Sequence, residues 1–166
     1  MATAVVSPPE AGLVLDLDPD LGSGIPPEDW KLARHDCRGR SVMVSRGAWT
    51  PACEEWARAY PLGLLIHSGL LCREISFGDN YMLELLGPGD VVQIPAPPRH
   101  RSLGGDVRLT AATELSVIAL GEAFGRAATR WPCLLATVQE RLEEQRQRLA
   151  IQGLIAHVPR ADDRVC

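Results

Sequence analysis

The chain has 166 residues with 17 basic and 21 acidic side chains, a formal net charge of −4, and 46% hydrophobic against 23% charged residues. One compact domain is the default at this length, and this composition excludes a disordered tail, a collagen-like chain and a membrane protein. The acidic balance argues against a basic face that coats nucleic acid, and no run of about 18 uncharged apolar residues exists to span a bilayer.

Residues 1–24 carry Pro8, Pro9, Gly12, Pro19, Gly22 and Gly24 among small and acidic residues. They read as a disordered leader. The N-terminus has no basic region ahead of an apolar core, so the cytoplasm is the expected compartment. IPPEDWKLARH (Ile25–His35) reads as a short helix with Pro27 in its first turn and Glu28 and Asp29 at its positive end. Arg40–Arg46 alternates and reads as a strand. The segment TPACEEWARAYP is ambiguous, with room for one helical turn. The middle is β: Gly63–Ser68, then Leu70–Phe77, a Gly78–Asn80 turn, Tyr81–Leu86, the turn Gly87–Asp90, and VVQI. The Gly-Asp-Asn link between apolar runs is a hairpin signal. Pro95–Asp106 breaks both periods, and Val107–Leu120 returns to strands. Short strands between turns predict a sandwich or barrel such as a jelly roll.

The period changes in the last third. A helix is expected over Glu122–Thr129, and Pro132 starts a longer one. Leu135, Val138, Leu142, Gln145, Leu149 and Gln152 recur at alternating spacings of three and four, a coiled-coil-like seam. Glu140, Arg141, Glu143, Glu144, Arg146 and Arg148 make a mixed-charge outer face. The seam can pack on the chain's own β domain or on a second copy. The polar seam positions Gln145 and Gln152 favour a second copy, because such residues set register. Those six seam residues are therefore the expected dimer interface. Gly153 is expected to bend or end the helix. Cys37, Cys53, Cys72, Cys133 and Cys166 are odd in number and irregularly spaced, which reads as free thiols rather than disulfides, a zinc site or an iron–sulfur site.

The order of elements carries a resemblance. GLLIHSGLLCREI, LELLGPGDVV and TELSVIALGEAFGRAATRWPCLLATVQERL together resemble the sensor half of the bacterial Crp/Fnr transcription regulators, over about Pro27–Cys166. The first two match that family's β-roll with its Gly-x-Gly-Asp turn, and the third the strand that leads into its dimerisation helix. The resemblance implies a mainly β fold with α: a cyclic-nucleotide-binding-like jelly roll followed by a long C-terminal dimerisation helix. It divides the chain into a leader (1–24), a β-roll sensor domain (25–130), the long helix (131–157) and the start of a further segment (158–166). It implies a homodimer, and DNA binding only through a winged helix-turn-helix domain that would begin where this chain ends.

In nucleotide-binding relatives the turn is followed by a Gly-Glu pair, a short helix, and an Arg with a small hydroxyl residue. Backbone N–H groups and the Arg hold the cyclic phosphate, and the Glu takes the ribose hydroxyl. Here Val91, Val92, Gln93, Ile94 and Pro95 follow Asp90. The Gly-Glu pair is missing and prolines forbid the helix. The pocket is therefore expected to be degenerate. Arg99, Arg101 and Ser102, beside His100, are the candidate ligand-binding residues for an anion; a solvated basic loop is the alternative. No cofactor is expected. His67, Cys72 and His100 are the β-region residues that could face a haem, and His67 in its apolar run reads as a satisfied core histidine. A cupin-like metalloenzyme would need clustered His and carboxylate ligands, and no HxH pair exists. No nucleophile elbow, Walker loop or HExxH helix appears either. The expected function is a non-enzymatic sensor and dimerisation domain of a transcription regulator, open to a small-molecule effector. The alternative is a stand-alone module of the same fold that binds a small anion or a partner protein.

Overall fold

The computed structural model describes residues 2–50, 56, 58–78, 80–94 and 106–156. Nine strands form two antiparallel sheets: β1 (Glu10–Leu13), β2 (Arg38–Val44), β3 (Gly47–Trp49), β4 (Leu64–Ser68), β5 (Leu71–Phe77), β6 (Asn80–Leu86), β7 (Val91–Val92), β8 (Asp106–Ala111) and β9 (Leu115–Ala119). One sheet has the order β1-β2-β9-β4-β7 and the other β3-β8-β5-β6. The helices with described bounds are α1 (Val14–Leu17), α2 (Trp30–Asp36), α3 (Glu122–Arg130) and α4 (Cys133–Ala156), with a 3₁₀ turn at Pro19–Gly22; Trp56, Arg58 and Ala59 are also helical. None is long and apolar enough to cross a membrane.

Within the five-stranded sheet, β9, β7 and the first part of β4 are buried on both faces, which is why these strands read as unbroken apolar runs. Leu64, Ile66, Leu115 and Val117 point into the roll, where they meet Val42, Trp49, Leu71, Leu86 and Leu109. Their neighbours Leu65, Ile118 and Leu120 point the other way, onto Phe124, Trp131, Leu134 and Val138 of the helices. Strand β9 carries both sets, and all five of its residues are buried. At about 1.5–3 kcal/mol for each large side chain fully buried, these two layers dominate the stability.

The leader is not a disordered tail. Thr3 and Val6 bridge to Ala48 and Val44, β1 pairs with β2, and Val14, Leu15 and Leu21 are fully buried. Two of the acids that interrupt the apolar stretch of residues 13–21 find a basic partner. Asp16 accepts from Arg34, whose guanidinium holds the carboxyl below its ordinary range, and Asp18 meets Arg141 of α4. Helix α2 begins at Trp30, after a turn in which Asp29 N and Trp30 N donate to Pro26 O and Pro27 O, and the Asp29 carboxylate accepts the Trp131 indole N–H at 3.1 Å. The β5–β6 hairpin pairs Phe77 with Asn80. Asn80 therefore belongs to the strand, and Gly78, at φ +57°, opens the turn in the left-handed region that glycine tolerates. Helix α4 does not end at Gly153: that residue lets the helix pass close to β6, where an added Cβ would sit 3.3 Å from Met82 Cε.

Cys37 lies fully buried between α2 and β2. Burial is the main cause that pushes its thiol up to about 12, with Asp36 and Cys133 adding to the effect. The unfolded thiol ionises near its ordinary 9, so Cys37 weakens the fold progressively as pH rises from about 9 to about 12, where only the unfolded chain releases the proton. At pH 8 iodoacetamide should leave Cys37 unlabelled until denaturant is added, as read by peptide mass spectrometry. Labelling of the native protein would contradict this burial.

Candidate functional site

Two charged features stand out, one inside the roll and one between the roll and α4. The first is a cross-strand row on the inner side of the four-stranded sheet. Register places Glu84 of β6 opposite Arg73 of β5, Arg73 opposite Leu109 of β8, and Leu109 opposite Trp49 of β3. Side chains alternate across a strand, so Leu71, Arg73 and Ile75 share the inward side with Met82, Glu84 and Leu86. Arg73 and Glu84 thus form an ion pair in the apolar interior, with side chains 16% and 5% exposed. Arg73 directs both Nε, at 2.7 Å, and an Nη atom to Glu84 Oε2. Glu84 Oε1 is left without a partner, as are Trp49 Nε1 and Gln145 Nε2, all three buried. Such a pair is a poor source of stability, because desolvation offsets the attraction. Its presence in a core layer is a feature of the interior chemistry.

The second feature ties α4 to the roll. Arg141 and Arg148 are seven residues apart and so lie on one face of the helix, two turns from each other. Arg141 grips both oxygens of Asp18, with Nη2 to Oδ1 at 3.1 Å, and also donates to Gly89 O at 3.1 Å. The hydrogen bond to Asp18 raises the guanidinium's already high pKa; burial works against this, and the charges of Asp18, Asp20 and Asp90 support it. Arg148 donates to Asp90 Oδ1 at 2.5 Å. The other oxygen of Asp90 accepts from Gly87 N at 2.9 Å and closes the turn. Gly89, at φ +87°, occupies the turn position where Pro88 before it and a left-handed residue are required. Gly87–Asp90 joins β6 to β7, and Arg141 and Arg148 of α4 both hold onto it.

The seam residues divide along the helix. Val138 and Gln145 are buried in this chain, and Leu135 and Leu142 pack against its helix-side core. Leu149 is half-buried and Gln152 exposed, next to Ile151, which is 57% exposed. Arg99, His100, Arg101 and Ser102 lie outside the described residues, as do Cys53 and Cys166. His67 is half-buried, with Nδ1 3.0 Å from Leu17 O. Cys72 sits on the outward side of β5, its thiol raised by burial first and by Glu74 second. No group of three His, Cys, Asp or Glu side chains is placed to hold a metal ion among the described residues.

Sequence reasoning missed Arg73, Glu84, Asp18, Asp90, Arg141 and Arg148. The first two were within reach. Once the hairpin turn is confined to two residues, the register sets Arg73 against Glu84, opposite charges on an apolar face. The Asp18–Arg141 contact joins residues 123 positions apart, and no local pattern announces it.

No protein-family model and no curated protein matches the chain. Among solved structures, a CooA variant from Carboxydothermus hydrogenoformans aligns with a TM-score of 0.54 at 13% identity, covering 89% of this chain and 92% of that one. The Thermus thermophilus catabolite activator protein aligns at 0.49 and 21% identity, over 82% of this chain. Oxidized CprK in complex with o-chlorophenolacetic acid aligns at 0.48 and 15% identity, over 80%. The chain spans 62% of the activator protein and 55% of CprK. At these identities the likeness is one of fold, and the CooA match carries it. The chain shares the fold of that CooA structure, a β-roll followed by a long helix.

Proposed function

We propose that this chain is the non-enzymatic, cytoplasmic sensor and dimerisation half of a bacterial Crp/Fnr-like transcription regulator, with a pocket that does not hold a cyclic nucleotide in the family's manner. The observation that carries this reading is the double grip of Arg141 and Arg148 on Asp18 and the Gly87–Asp90 turn. A change inside the roll that moves this turn must move α4, and a helix shared with a second copy passes that shift to any DNA-reading domain beyond it. The degenerate pocket is supported by two facts. The residues after the turn, Val91 to Pro95, hold no Gly-Glu pair, and Val91 and Val92 are fully buried. The charged Arg73–Glu84 pair also occupies the interior. The surface offered to a second copy is the seam's open end, Leu149 and Gln152, with the exposed Ile151 beside them.

Light scattering tests the pairing, and calorimetry the pocket. The purified protein should have twice the 18.0 kDa chain mass, and Leu149→Lys with Ile151→Lys should halve it. A wild-type mass of one chain, or a dimer that survives both lysines, overturns the pairing through this surface. Titration with cAMP and cGMP should give no saturable heat, whereas micromolar binding would show a functional nucleotide pocket.

A further inference from the structure

Away from the roll interior, a cleft of about 280 Å³ lies between α3, the end of α2 and the start of β2, lined by Asp36, Arg38, Ala123, Arg126, Ala127, Arg130 and Trp131. The α3 residues follow the spacing i, i+3, i+4, i+7, so one stripe of the helix faces the cleft, with two alanines that leave room and two arginines. Three guanidinium groups and one carboxylate thus line a single concavity on a chain whose overall charge is −4.

The arginines are held in place with little neutralisation. Arg38 donates through Nε to His35 O at 2.9 Å and places Nη2 2.7 Å from His35 Nε2. Arg130 lies 4.9 Å from the centre of the Trp131 ring, and that ring is fixed by its N–H bond to Asp29. Neither arginine has a carboxylate partner among the described residues. Arg126 pairs with Glu122, but the two side chains are 69% and 87% exposed, so water screens the pair and it exchanges readily. Asp36, the lone carboxylate on the wall, sits 3.2 Å from His35 Nδ1. Arg126 and Arg130, one turn apart, repel each other and do not help the helix. Guanidinium groups ordered by partners other than carboxylates suit a planar or tetrahedral oxyanion, because part of the ordering is already in place.

We propose that this cleft binds the phosphate group of a small phosphorylated ligand, with Arg38 and Arg130 as fixed donors and Arg126 released from Glu122 to complete the clamp. A phosphate monoester carries about −1.5 to −2 at neutral pH, which matches the excess of three guanidinium groups over one carboxylate.

The full chain is titrated with pyrophosphate and, separately, with a Glu-rich peptide, followed by calorimetry and by NMR of the arginine Nε–H signals. Saturable pyrophosphate binding is expected, with Arg130 and Arg126 signals moving. Arg38→Gln and Arg130→Gln should each weaken it at least tenfold, Arg130→Lys should lose most of that gain, and Arg146→Gln on the exposed face of α4 should leave it unchanged. Circular dichroism of each variant checks its fold, and Arg126→Gln gives an independent reading should either other variant unfold. No saturable binding, equal weakening by Arg146→Gln, or tighter binding of the acidic peptide would each overturn the proposal.

Discussion

Glu84→Leu alone should lower the unfolding free energy by about 3–5 kcal/mol, because it leaves Arg73 as an uncompensated charge in the interior. Arg73 has only 16% of its side chain exposed, and its Nε and Nη2 both end on Glu84 Oε2. It cannot reach water without disturbing the layer around Leu71, Leu86 and Leu109. A loss of that size corresponds to a melting temperature lower by about 10 °C for a domain of this length. Arg73→Met combined with Glu84→Leu should recover the loss and leave a protein as stable as the wild type, or more so by about 1–4 kcal/mol. Denaturant unfolding of the two single variants and the double variant gives the coupling energy directly. A double variant no more stable than Glu84→Leu would show that the pair holds the sheet together. Full recovery would show that the pair makes no net contribution to stability.

Asp18→Ala should cost about 2–3 kcal/mol, and Arg148→Ala less than about 1 kcal/mol, although both break an arginine–aspartate contact of the same helix. The difference is solvent. The Arg141 and Asp18 side chains are 17% and 12% exposed, so removal of the carboxylate strands a guanidinium with Gly89 O as its remaining partner. Asp18 also accepts from Leu21 N at 3.2 Å, so the 3₁₀ turn at Pro19–Gly22 loses its cap as well. Arg148 is 55% exposed, and once it is removed Asp90 keeps its bond from Gly87 N, so the cost is small. The second half of α4 should exchange its amide hydrogens faster in Asp18→Ala, while β4 and β9 keep their protection. Uniform loss of protection across sheet and helix would show that the contact supports the whole fold rather than the position of the helix.

The elements with strong local patterns were legible in the sequence. Strands β2, β4, β5, β6, β8 and β9, the hairpin between β5 and β6, and the helices α3 and α4 fall within a residue or two of where turn chemistry and periodicity put them. The leader was misjudged for a specific reason. Asp16 and Asp18 break its apolar run, and they look like solvated charges until Arg34 and Arg141 are brought to them from 18 and 123 residues away. The seam of α4 was visible as a stripe, but the stripe alone does not name its partner. Apolar residues at spacings of three and four pack equally well on a sheet or on another helix. The structure shows that Leu135, Val138, Leu142 and Gln145 turn toward the chain's own core.

By itself the sequence determined that this acidic, moderately apolar chain forms a β-roll followed by a long amphipathic helix, since alternation, turn residues and helical period are local properties carried by neighbouring side chains. Only the tertiary structure decided which charges meet: that Arg141 and Arg148 hold the Gly87–Asp90 turn, that Arg73 and Glu84 share the interior, and that Arg38, Arg126 and Arg130 surround one cleft. Charged side chains have no periodic signature of their own. Their energies depend on burial and on partners distant in sequence, and both are set only when the sheets and helices pack.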